Sequence, residues 1–149
     1  MFSFQLINHP ESFIVDEVRL FEIFRHISKN IDIPQKGILN IAFLPDNEIQ
    51  VLNKQYRNID SSTDVLSFHY FDNFSDISDD EIGGEIILSE SRILSQAREH
   101  NHSPEREFEI LAIHSILHII GFDHETDEDF EEMWKHESIL RNVSLHSIH

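Results

Sequence analysis

The sequence has no cysteine, which excludes disulfides and thiolate metal ligands. It also lacks long apolar runs. No stretch approaches the roughly 18 residues that a membrane-spanning helix needs, so no membrane association is expected. The opening residues, Met1 to Pro10, carry neither the basic region nor the apolar core of a signal peptide. The expected location is therefore the cytoplasm. Basic residues are scarce, with 11 Lys and Arg against 28 Asp and Glu and a net charge of −17, most of it carried by residues 72–149. Proteins that bind nucleic acid broadly are usually basic. This balance argues against non-specific binding of polyanions, and an RNA substrate would need a local basic patch or a protein partner. Internal repeats and linkers are absent too. With 149 residues, 40% of them hydrophobic, the chain reads as one domain over 1–149, long enough to bury a core.

What is present is a clear alternation of periods. Phe2, Phe4 and Leu6 alternate with polar residues as in a strand. Leu20, Ile23, Phe24 and Ile27 recur at helical spacing between Asp16 and Lys29. Ile38 to Leu44 is a short apolar run consistent with a buried strand. A helix opens at Pro45-Asp46 and carries Ile49, Leu52 and Tyr56. Val65 to Phe71 reads as a third strand. Asp72 to Glu81 is acidic and Ser-rich, the composition of an exposed, mobile loop. Gly83-Gly84 introduces a fourth strand, Glu85 to Leu88, and Ser89 is placed to cap a helix. Ser103, Pro104 and Glu105 are a strong helix start: side-chain cap, proline at the first position, acid at the positive dipole end. That helix is apolar on most sides and is expected to be the buried central one. Thr126 is placed to cap a last helix with Phe130, Met133, Trp134 and Leu140 inward. The order predicts an α+β fold with a four-stranded mixed sheet packed with helices. The two strand–helix–strand units suggest parallel crossovers, and the direct strand–strand connection an antiparallel edge pair.

The central helix ends in His114-Ser-Ile-Leu-His118-Ile-Ile-Gly121-Phe-Asp-His124. His114 and His118 are four apart and share a helix face. Gly121 can take the left-handed cap conformation and turn the chain back, which presents His124 as a third ligand. Three imidazoles with an open fourth position are the layout of a catalytic zinc site. The spacing is also that of the metzincin proteases, which carry a glutamate general base after the first histidine. Here Ser115 stands in that place. Met133 is read as core, and the acids from Glu125 to Glu132 do not have the spacing of a calcium loop.

A second stretch, Tyr56-Arg57-Asn58-Ile59-Asp60-Ser61-Ser62-Thr63-Asp64-Val65-Leu66-Ser67-Phe68, runs from a helix end into a strand. A cation is favoured at a helix carboxyl end, and Thr63 and Asp64 suit a turn. From these residues alone, structural and functional roles stay equally open.

The metal motif resembles H-G-x-L-H-L-x-G-Y-D-H of the YbeY family of bacterial endoribonucleases. Tyr56 to Phe68 resembles that family's Y-R-x-x-D-x-x-T-D-V-L-S-F, and Gly84 to Ser89 its G-D-I-x-I-S strand. The chain departs from the pattern at Ser115 for Gly, Phe122 for Tyr, Glu85 for Asp, and Ser61-Ser62 for Lys-Pro. The resemblance implies a zincin-like central helix and one zinc ion held by His114, His118 and His124. His114 and Arg57 would be the catalytic residues, Arg57 stabilising charge on the phosphorane. It implies a single-strand-specific endoribonuclease that matures the 3′ end of small-subunit ribosomal RNA and serves ribosome quality control. Its partners would be ribosomal RNA and the small subunit or assembly proteins, with no DNA. Two other readings compete: a zincin-type metallopeptidase, which shares the histidine spacing but needs the missing glutamate, and a non-catalytic ribosome-assembly factor with structural zinc.

Overall fold

A computed structural model describes residues 1–121. His124 and the helix expected from Thr126 lie outside the described residues. The alternating start of the chain forms β1 (Ser3–Ile7). Helix α1 (Glu17–Asn30) follows, its first turn capped by Asp16, which accepts from the Val18 and Arg19 amides. Next come β2 (Ile38–Phe43), α2 (Asp46–Arg57), β3 (Val65–His69) and β4 (Ile82–Leu88). Helices α3 (Glu90–Glu99) and α4 (Pro104–Ile119) complete the described chain. Ser89 and Ser103 cap these last two helices by accepting from the Arg92 and Arg106 amides. Among the described residues, no helix is long and apolar enough to cross a membrane.

The strands form one mixed sheet in the order β1-β2-β4-β3. β1–β2 and β2–β4 are parallel, and β3–β4 is the antiparallel edge pair that the direct connection suggested. The second strand–helix–strand unit differs from expectation. β4 inserts between β2 and β3, so β3 runs against β2 and is not reached by a parallel crossover. Gly84 allows the tight β3–β4 approach, since a Cβ there would meet the Phe68 carbonyl oxygen at 2.4 Å.

The two faces of the sheet bury different cores. Ile41, Ile86 and Leu88 join α1, Ile93 of α3 and the apolar side chains of α4 in the main core. Ile49 of α2 packs with Leu66 and Ile87 on a smaller one. The acidic segment after β3 is a mostly exposed loop, as its composition suggested, but it is anchored at two points. Phe74 and Ile77 are buried in the main core, and Phe74 meets Phe2 edge-on at 5.1 Å between ring centroids. Two apolar anchors outweigh an acidic composition, because each buried side chain of this size is worth about 1.5–3 kcal/mol.

Candidate metal centre

Helix α4 is buried on nearly all sides, as expected. From Leu111 to Ile120 every residue is buried except His114 and His118, which are half-buried. The apolar surround fixes the helix by burial, and the two imidazoles form its one opening toward solvent in that stretch. Their Nε2 atoms lie 2.9 Å apart and the ring centroids 4.5 Å apart. Two nitrogens on one zinc ion at tetrahedral angles lie roughly 3.3 Å apart, from Zn–N bonds of about 2.0–2.1 Å. The pair therefore already converges on a common point, and the donor set fits a zinc-like ion. Gly121 has φ +114°, and its amide donates to the His118 carbonyl at 3.1 Å, so the helix ends where the glycine was expected to end it.

His114 opens onto a cleft of about 420 Å³ lined also by Asp64, Val65, Gln96, Glu99, His100, Glu107, Ile110 and Leu111. Asp64 is held from three sides. Its Oδ1 accepts from the Val65 amide at 2.8 Å and the Thr63 hydroxyl at 3.2 Å, and its Oδ2 from Gln96 Nε2 at 3.2 Å. Thr63 and Asp64 thus shape the turn into β3, and that turn places a carboxylate in the cleft.

Arg57 is the last residue of α2 and is exposed. The left-handed cap at Asn58, φ 58°, ends the helix immediately after it. The neighbouring Tyr56 ring packs edge-on against Phe68 at 5.3 Å, which ties this helix end to β3. Arg57 does not line the cleft around His114. The structure therefore brings His114 and His118 together and leaves Arg57 on a separate element, at the end of α2. Ser115, which stands where the proteases have glutamate, is fully buried and offers no base to the cleft.

A second donor group was missed by sequence reasoning. His100 Nδ1 lies 2.9 Å and His102 Nε2 2.6 Å from the same Glu107 oxygen, Oε1. One donor atom from each residue lies within 4.8 Å of the others, so the group could hold a metal ion. Its signal was present as H-x-H ahead of a capped helix start. The spacing of loop residues to a helix residue has no fixed period, so nothing in the pattern marked the three as neighbours.

Comparison with known proteins shows the family. The family model described as endoribonuclease YbeY matches residues 6–144. An endoribonuclease YbeY of Clostridioides difficile (strain 630) is 43% identical over 110 residues, covering 72% of each chain. One of Carboxydothermus hydrogenoformans is 36% identical over 143 residues, covering 95% of this chain and 97% of its own. A solution structure from Thermotoga maritima superposes with a TM-score of 0.62 at 25% identity, covering 97% of this chain and 90% of that one. With the histidine pair, the capped helix and the sheet in place, the match along nearly the whole chain assigns it: this chain belongs to the endoribonuclease YbeY family.

Proposed function

We propose that the chain is a zinc-dependent, single-strand-specific endoribonuclease of ribosomal RNA maturation, working as one domain over residues 1–149. Its substrate is the 3′ end of small-subunit ribosomal RNA, and its place is the cytoplasm, with the small subunit or its assembly proteins as partners. The observation that carries the reading is the convergence of His114 and His118 Nε2 at 2.9 Å, on the only half-buried stripe of an otherwise buried helix segment, in a chain of an endoribonuclease family.

His114, His118 and His124 would hold the ion. Zinc bound there would supply Lewis acidity toward a water and a phosphoryl oxygen. The protein supplies position and charge. The buried helix keeps both imidazoles aimed at one point. Arg57, with its planar fork of donors, takes the developing charge on the phosphate from the α2 side. Ser115, buried where the proteases carry glutamate, offers no in-motif group to take a proton from water and pass it to a leaving amine, which favours phosphodiester over peptide cleavage.

The test incubates metal-analysed protein with structured RNA and with casein, each with and without chelator. RNA should be cut only in the absence of chelator, and casein should stay intact. His118→Ala should lose the ion held by this histidine pair together with the cleavage. Chelator-sensitive cleavage of casein, with RNA left whole, would replace this reading with that of a metallopeptidase.

A further inference from the structure

The cleft at His114 has the wrong charge for a polyanion. Asp64, Glu99 and Glu107 line it, and no Lys or Arg does so among the described residues. A phosphodiester brought against three carboxylates meets like charge at close range, in a partly desolvated site where screening is weak. The same wall carries the His100–Glu107 contact, with His102 on the same carboxylate oxygen.

The donors are assembled with care for direction. His100 and His102 flank Asn101, whose left-handed φ of 55° turns the chain between them. Asn accepts that conformation more readily than most residues, because its short polar side chain can bond locally. Both rings face Glu107, which the first turn of α4 presents. Glu107 is only 2% exposed, and the hydrogen bonds from the two imidazoles are what satisfy it. They also hold the three donors at one point. A divalent ion displaces such protons and takes the same three atoms as ligands.

We infer that His100, His102 and Glu107 form a second zinc-type metal site, separate from the His114–His118 pair and opening onto the same cleft. Two imidazoles and one carboxylate with a free position are a known open zinc set. The donor separations of 2.9 and 2.6 Å need to widen by roughly half an ångström to reach tetrahedral values. His100, with its side chain 56% exposed, has room to move. The ion's work would be to offset the carboxylates and let a phosphate of the RNA enter. That role rests on the endoribonuclease reading, whereas the existence of the site does not.

The test counts ions. Full-length protein is stripped, re-equilibrated in buffered free zinc and analysed for metal per chain. Wild type should bind about two equivalents, and His118→Ala about one. Glu107→Gln keeps an oxygen that accepts from both imidazoles but loses the charge that binds metal, so it should bind about one while its melting temperature rises less on zinc addition than that of wild type. His100→Asn, at an exposed position, reads the same count if Glu107→Gln does not fold. About one equivalent in wild type, or about two in a folded Glu107→Gln or His100→Asn variant, would overturn the site. RNA cleavage is followed in the same samples. Two bound ions without cleavage would remove the nuclease reading and leave the site standing, and cleavage with a single bound ion would do the reverse.

Discussion

In its first two turns α4 buries carboxylates, and in its last two and a half it buries almost only hydrocarbon. Glu107 and Glu109 are both within the protein, each tied to a partner from another part of the chain. Glu109 takes the Arg19 fork from α1, with Nε to Oε1 at 2.5 Å and Nη2 to Oε2 at 2.8 Å. The hydrogen bond that Arg19 donates to Glu109 is the main reason the guanidinium holds its proton even more tightly than usual. Farther along, Ile113, Ile116 and Leu117 are fully buried, and the polar atoms left at the surface are imidazole nitrogens. The helix dipole accounts for the order. Anions are stabilised near the amino end and cations near the carboxyl end. A helix that must carry both acids and a metal-binding pair gains by placing them in this sequence, and α4 does.

The largest expected effect comes from breaking the acidic end. Glu109→Ala leaves Arg19 partly buried without its carboxylate. It should cost about 3–5 kcal/mol, read as a shift in the urea midpoint. Pairing it with Arg19→Met should recover much of that loss, since the cost lies in the stranded charge. A single mutant as stable as wild type would show that the clasp between α1 and α4 contributes little.

Next in size is the separation of catalysis from architecture at Arg57, which belongs to neither end of α4. Arg57→Lys and Arg57→Ala should both lower RNA cleavage by about 10²–10³, because an ammonium lacks the bidentate fork. Bound metal should not change. Stability should fall by at most about 0.3–1 kcal/mol, the worth of a cation at a helix end. Near-wild-type cleavage by either variant would remove Arg57 from the reaction, and loss of metal would make it a scaffold residue.

The smallest effect sharpens the apolar end. Ser115 Oγ is buried and has no hydrogen-bond partner among the described residues. Ser115→Ala should therefore stabilise the protein by about 1 kcal/mol, with metal content unchanged. Destabilisation would mean that the hydroxyl is bonded after all, for instance back to the carbonyl one turn earlier.

These two ends were not equally legible beforehand. Ser103-Pro104 announced the start of α4, Gly121 its end, and His114 and His118 their shared face, because caps and i,i+4 spacing are local rules. Burial of Glu107 and Glu109 could not be read, since their partners lie in the α3–α4 loop and in α1. The same limit hid the place of β4. Sequence neighbours suggested pairing β2 with β3 across α2, and only the tertiary fold inserts β4 between them. Phe74 and Ile77 gave a signal that composition overrode: two apolar residues three apart in an acidic stretch.

That inserted strand has a consequence in time. Among the described residues β3 bonds to β4 alone, and the second edge of β2 is also closed by β4. A ribosome adds roughly 5–20 residues per second. While it has released residues 1–81 and no more, β1 and β2 can pair, but β3 has no strand to join and β2 keeps an open edge. Open edges of apolar strands are where chains stick to one another. Emergence of Ile82–Leu88 closes both at once, so the nascent chain passes from its most adhesive state to a finished sheet within a second or so.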